Sequence, residues 1–170
     1  CLARSDHEAI TRQGLTIRHD GKTRTVRVAS ATDDPARIGR CDLVVVTLKS
    51  TSNAALPGLL RPLVGPDTIA LTLQNGMGNV EALEPLCDFD IAHGVSFEAG
   101  RYIGPGKIDH FIHGEDSWMG PARGPVESVQ WLGDLWSETG LPTGVAADPR
   151  GAIWGKFIFN CVMNPCGAIV

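Results

Sequence analysis

Lys156, Asn160 and Asn164 recur at four-residue steps in the stretch Trp154-Gly-Lys-Phe-Ile-Phe-Asn-Cys-Val-Met-Asn164. On an α-helix each such step rotates by only about 40°, so the three side chains form one polar stripe roughly 12 Å long. The other positions, Ile153, Trp154, Phe157, Ile158, Phe159, Cys161, Val162 and Met163, are apolar. A helix apolar on its remaining faces is mostly buried. Burying an ammonium and two carboxamides costs free energy unless each finds a partner. Two readings stay open: a satisfied polar network or solvent-facing stripe, and a cleft wall offering one cation and two amides to a small polar ligand. A desolvated lysine has a lowered pKa, which suits it to proton transfer.

Two further stretches bear on ligand binding. Leu73-Gln-Asn-Gly-Met-Gly-Asn79 follows a strand and opens a helix, where backbone N–H groups point outward and favour anions or polar ligands. Gly76-x-Gly78-x-x-Glu81 is a dinucleotide fingerprint without its third glycine, and a tight strand-to-helix turn asks for the same glycines. Leu48-Lys49-Ser50 ends an apolar strand at the edge where open α/β sheets bind ligands, although a lysine at a strand end is also ordinary surface. The full G-x-G-x-x-G is absent. In a dinucleotide-binding fold, the first strand and glycine loop would then lie upstream of Cys1. Arg4 would fall just past the second strand, where an arginine accepts the 2′-phosphate of NADP; alone it is an ordinary exposed arginine. No metal site is expected: His110 and His113 face opposite sides of a strand, with no carboxylate or cysteine cluster beside them. No G-x-S-x-G elbow occurs.

These residues need a scaffold. Asp42–Leu48 is apolar on both faces, as expected of a central parallel strand. Ser50, Thr51, Ser52 and Asn53 offer N-caps for a helix to about Leu63, which Pro57 should kink or shorten. Thr68–Leu73 reads as a second buried strand, Asn79–Leu86 as a helix and Ile91–Phe97 as a third strand. The alternation over 42–97 is that of a doubly wound, mainly parallel sheet with right-handed crossovers. Upstream, Ser5 and Glu8 have capping-box spacing for a helix from Asp6 to Gln13, and two alternating runs flank the hairpin turn Asp20-Gly21. Leu2-Ala3 reads as the tail of a strand. Downstream, Lys107–His113 and Ser117–Met119 read as strands, and Val126–Thr139 as an amphipathic helix with Val126, Val129, Leu132, Leu135 and Trp136 on one face. Thr143–Ala147 is extended, and Asp148-Pro149 opens the helix that carries the polar stripe.

Composition excludes several classes. The 170 residues are 43% hydrophobic and 20% charged, ordinary for a globular chain. A net charge of -4 leaves no basic footprint for nucleic acid, and no apolar run is long enough to suggest a membrane span. The five cysteines form no C-x-x-C pair and read as reduced thiols of a cytoplasmic protein. A first residue other than Met suggests a sequence cut from something longer, since Leu-Ala-Arg-Ser-Asp gives a lipoprotein no flexible tether.

Four motifs in order carry a family resemblance: Val46-Thr-Leu-Lys-Ser50, Leu73-Gln-Asn-Gly-Met-Gly-Asn-Val-Glu81, Pro105-Gly-Lys-Ile-Asp-His110 leading to Met119-Gly120, and Trp154-Gly-Lys-Phe…Asn160…Asn164-Pro165. Together they resemble ketopantoate reductase (2-dehydropantoate 2-reductase) over essentially the whole chain. The resemblance implies a Rossmann-like NADP-binding domain over residues 1–147, lacking its first strand, and the first helix of an α-helical substrate and dimerisation domain over 148–170. It implies NADPH-dependent reduction of 2-dehydropantoate to pantoate, a step towards pantothenate and coenzyme A, in a cytoplasmic enzyme that is a homodimer when intact. By the same resemblance Lys156 is the general acid, while Asn75, Asn160 and Asn164 bind substrate. Arg4, Lys49, Gln74, Asn75 and Gly76 bind NADPH, with Arg4 near its 2′-phosphate. The serine and acidic residue that later helices of the family bring to the pocket have no counterpart here. Two alternatives remain: a related NADP-dependent 2-keto acid or ketone reductase, and a catalytically incomplete binding remnant.

Overall fold

The computed structural model describes residues 1–3, 5–86, 89–112 and 116–169. Arg4 lies outside them, as do His113, Gly114 and Glu115, between the strands expected over Lys107–His113 and Ser117–Met119.

The chain opens with an extended segment: Ala3 N–H donates to the Thr32 carbonyl at 2.9 Å, and Thr32 N–H to that of Cys1 at 3.1 Å. α1 (His7–Gln13) follows and stops at Gly14, whose φ of 80° ends the helix while its N–H still reaches the Ile10 carbonyl. The Ser5–Glu8 capping box is not formed. Asp6 is the N-cap, and Ser5 Oγ donates to its Oδ1 at 3.1 Å. Asp6 Oδ2 accepts the Gly106 N–H at 2.9 Å, which ties the helix start to a distant turn and holds the Asp6 carboxyl below its usual pKa.

β1 (Leu15–His19) and β2 (Lys22–Val26) form the expected hairpin. Asp20 and Gly21 both have positive φ, 46° and 72°, the requirement of a tight hairpin turn. β3 (Leu43–Val46), α2 (Leu56–Leu60), β4 (Ile69–Thr72), α3 (Asn79–Leu83) and β5 (Asp90–Val95) alternate, and the three strands pair in parallel. β4 is buried along its whole length. β3 departs from expectation. Among the described residues it is an edge strand paired only with β4, and Val45 is exposed. The expected helix from Ser50 is also altered: Ser50–Ala55 is a 3-10 segment, and the α-helix begins beside Pro57, whose missing N–H suits the first turn of a helix.

Past β5 the chain changes sheet. β6 (Glu98–Gly104) and β7 (Lys107–Ile112) pair antiparallel, and β7 runs parallel to β1, giving a second sheet in the order β2-β1-β7-β6. β8 (Ser117–Pro121) returns to the main sheet antiparallel to β5. α4 (Gln130–Glu138) then leads to β9 (Thr143–Val145), which completes the order β3-β4-β5-β8-β9. α5 (Arg150–Ile169) closes the chain.

Helices cover both faces of the main sheet. Val46, Leu56, Leu60, Ala70, Leu83 and Ile91 pack on one side, and Leu71, Ala92, Met119, Val129 and Leu132 on the other. Leu135, expected on the inner face of α4, is exposed, while Gly133 is buried against Val145. The 3-10 turn over Val126–Val129 shifts the phase of the helix that follows it. Among the described residues no helix is long and apolar enough to cross a membrane.

Gly120 lies where β8 meets the start of α5. A Cβ there would overlap the Ala146 carbonyl oxygen and sit 2.9 Å from Pro149 Cδ. Backbone cannot yield as a flexible side chain does. Gly120→Ala is therefore expected to cost about 2 kcal/mol and lower Tm by roughly 5 °C in a thermal melt.

Candidate functional site

The carboxyl end of β4 delivers the turn from Leu73 to Asn79. Gly76 and Gly78 take φ of 95° and 81°, open to glycine at no steric cost. Asn79 is fully buried and braces the turn from inside. Its Nδ2 faces the carbonyls of Gln74, Asn75 and Gly76 at 3.3, 3.4 and 3.2 Å, and its Oδ1 accepts from Asn53 Nδ2 at 3.2 Å. Gln74 is buried too. Its Nε2 donates to the Leu48 carbonyl at 2.9 Å and to Asn53 Oδ1 at 2.8 Å, while its Oε1 accepts from Thr72 Oγ1 at 3.2 Å. The Gln74 carboxamide thus joins the ends of β3 and β4. Asn75, by contrast, is exposed at the head of the turn.

α5 supplies the facing wall. Asp148 Oδ1 accepts the Arg150 N–H at 3.0 Å, and the Arg150 guanidinium lies 2.8 and 2.7 Å from the two carboxylate oxygens. Those bonds lower the Asp148 pKa to about 2. The Pro149 carbonyl accepts the Ile153 N–H at 3.2 Å, so Pro149 starts the helix as expected. One turn further on, Lys156 Nζ donates to the carbonyl of Ser96, between β5 and β6, and lies 5.3 Å from the Phe97 ring centroid. Lys156 is half-buried, and burial pulls its pKa below that of an ordinary lysine. The rest of α5 is not buried as its composition suggests. Trp154, Ile158, Phe159, Val162 and Met163 are exposed, and only Ile153 is fully inside. Among the described residues the helix is anchored by its first turns alone.

Between the two walls lies an open cavity of about 1170 Å³. Asn75, Lys156, Asn160 and Asn164 all line it, with Phe97, Glu98, Trp118 and Phe159. A narrower cleft beneath is lined by Gln74, Asn75 and Gly76 on one side and Lys156 and Asn160 on the other. The polar stripe and the glycine turn, far apart in sequence, therefore share one site. Lys49 is exposed at the end of β3 and lines neither space. Gly144 on the neighbouring strand leaves room for the Trp118 ring, since a Cβ there would lie 2.5 Å from it. Sequence reasoning missed Glu98 and Trp118 in the wall, and Asn53 and Asn79 behind the turn. Asn79 stood inside the glycine motif, but nothing in its spacing says that it points inward.

The sequence profile described as "Ketopantoate reductase PanE/ApbA" matches residues 1–124. The chain belongs to the ketopantoate reductase family. Relatives agree: the 2-dehydropantoate 2-reductase of Halobacterium salinarum is 34% identical over 170 residues, covering 97% of this chain and 55% of that protein. That of Nostoc sp. is 30% identical over 175 residues, covering 99% and 55%. The crystal structure of 2-dehydropantoate 2-reductase from Geobacter metallireducens GS-15 superposes with a TM-score of 0.86 at 32% identity, over 94% of this chain and 53% of that one. The chain thus spans about half the length of the ketopantoate reductases it matches. Its mixed, largely parallel sheet is the Rossmann-like fold of its solved relatives.

Proposed function

We propose that the protein reduces 2-dehydropantoate to pantoate with NADPH, and that Lys156 is its general acid. One observation carries the reading above all: the Lys156 ammonium, half-desolvated at the Ser96 carbonyl, shares a cleft with Asn75 and Asn160. The bound nicotinamide would supply the hydride. The cavity has the volume for a nicotinamide beside a small keto acid, and exposed Asn75 offers both a donor and an acceptor there.

The chain's own residues would do the rest. An ammonium has three N–H donors, and Ser96 takes one. A second can point at the ketone oxygen, where negative charge grows as hydride arrives at the carbonyl carbon. The charge stabilises that oxygen, and the proton then passes from Nζ to it, giving the hydroxyl. Asn160 and Asn164, further along the same face of α5, hold the substrate, and alignment of the reacting atoms lowers the entropic part of the barrier. Asn75 and Gly76 meet the cofactor's nicotinamide end. Gln74 would serve it through the turn that it braces, and Lys49 and Arg4 are the residues that the family resemblance assigns to its remoter groups. Residues 1–147 form the NADP-binding domain and 148–170 begin a helical one, which the exposed apolar face of α5 supports. The same reading has the intact protein acting in the cytoplasm as a homodimer.

The test is NADPH oxidation by the protein at its full encoded length on addition of 2-dehydropantoate, with pantoate as product. No oxidation above background would reject the proposal.

A pH dependence follows. The acid must carry its proton, so kcat falls as pH rises through the Lys156 pKa, and burial places that fall below the 10.5 of an ordinary lysine. The sign for stability is opposite. The unfolded chain binds the Lys156 proton more tightly, so this group's contribution grows as pH rises from its depressed pKa towards 10.5. A kcat profile flat through that range would contradict the assignment.

A further inference from the structure

Of the five asparagines in the chain, only Asn75 is followed by glycine. That order has its own chemistry. A glycine nitrogen has no side chain beside it, so it can reach the carboxamide carbon of the residue before it and close a cyclic imide. The structure separates the five. Asn160 lies within α5, where the next N–H is held in the helix ladder, and Asn164 precedes Pro165, which has no N–H. Asn53 and Asn79 have both the oxygen and the nitrogen of their carboxamides in hydrogen bonds. Asn75 differs. It is exposed, and among the described residues neither its carboxamide nor the Gly76 N–H has a hydrogen-bond partner. The space at Gly76 is open as well: a Cβ there would meet nothing within 4 Å. The bonds that hold this turn engage only the carbonyl oxygens of Asn75 and Gly76, on which Asn79 Nδ2 bears. The brace thus fixes the two residues side by side and leaves the reacting groups free.

We propose that Asn75 is a site of spontaneous deamidation, and that its conversion disables the cleft. The Gly76 nitrogen gives its proton to solvent and attacks Asn75 Cγ. The new N–Cγ bond forms as the Cγ–Nδ2 bond breaks, and Nδ2 leaves as ammonia with a proton taken from solvent. Water then adds to either carbonyl carbon of the imide and opens it, to aspartate or to isoaspartate. Water is consumed, ammonia is released, and nothing is oxidised or reduced. Both products put a carboxylate where an amide stood. Asn75 shares the narrow cleft with Lys156, so the new charge pairs with the ammonium and repels the carboxylate of an entering keto acid. It also keeps the acceptor of the amide and loses the donor. The isoaspartyl form lengthens the turn backbone by one carbon besides. The loss of activity rests on the reductase reading above; the modification does not.

The experiment ages the folded protein, at its full encoded length, in mildly acidic and mildly alkaline buffer, and follows it by peptide mass and by labelling with an isoaspartyl methyltransferase. The peptide that holds Asn75 should gain the mass of an amide turned to acid and should take the label, while Asn79 in the same peptide stays intact. The rate should rise about tenfold for each unit of pH, because the attacking nitrogen must lose its proton. Reductase activity should fall in step with the converted fraction. Asn75→Asp, which is one of the products, should lose about 10- to 100-fold in kcat/KM with an unchanged melt. An Asn75 that survives while other amides convert, or a rate indifferent to pH, overturns the modification. Full activity in the converted protein or in Asn75→Asp overturns its effect on the cleft. Fresh protein that never oxidises NADPH sinks the reductase reading, and the mass and label still decide the modification.

Discussion

Lys156→Ala is expected to lower kcat by about 10²- to 10⁴-fold, the usual contribution of a positioned acid, while NADPH affinity changes little. The split matters. In the proposed mechanism Lys156 meets the reacting oxygen, whereas the turn proposed to meet the cofactor is held by Asn79, Asn53 and Gln74, whose side-chain hydrogen bonds do not include Lys156. The lost interaction is one made most strongly in the transition state, so kcat and kcat/KM should fall together. Lys156→Ala is not expected to unfold the protein, because the side chain is half-buried and its removal frees one backbone carbonyl beside an open cavity. Steady-state kinetics and a thermal melt on one preparation check both statements. A variant that keeps its fold and most of its turnover would remove Lys156 from the mechanism.

Asn79→Ala acts the other way, through structure. Asn79 is fully buried, faces three turn carbonyls and accepts from Asn53. Truncation leaves buried polar groups without partners, at a cost of about 2–4 kcal/mol, which corresponds to a fall in Tm of roughly 5–12 °C. The turn from Gln74 to Gly78 would then lose its internal brace, and Asn75 its fixed position. KM for NADPH should rise several-fold more than KM for the keto acid. Asn79→Asp should be no better, since it sets a negative charge against the same carbonyls. A melt unchanged from wild type would show that the network contributes nothing to holding the turn.

Much of this was legible in residue order because the relevant signals are periodic. The apolar run of β4, the Asp20-Gly21 hairpin and the polar stripe of α5 each follow from the repeat of a regular backbone. Other features depend on what lies alongside in space. β3 is as apolar as a central strand, but its edge position is a fact about pairing. β6 was not anticipated because Gly100 and Gly104 interrupt it and its middle is exposed, so it shows no alternation of apolar and polar residues. α5 has the composition of a buried helix and a largely exposed surface, since composition cannot say what covers it. In the site, Lys156, Asn160 and Asn164 were found by their spacing. Glu98 was not, because it is held by His110, across a ladder whose register the sequence does not show. Gln74 was assigned to the cofactor by the family resemblance; that its carboxamide also ties Leu48 to Asn53 depends on a spatial neighbourhood that residue order does not show.

The central claim is that a half-buried amine at position 156 gives its proton to the substrate, and rescue by added amines tests it most directly. Lys156→Ala leaves space at the Phe97 ring and the Ser96 carbonyl, where a small alkylammonium can sit. Methylamine is expected to restore part of the lost turnover, saturably, with a restored rate that follows the charged form of the amine as pH is varied. A residual rate indifferent to every added amine, or one that follows the free base, would contradict it.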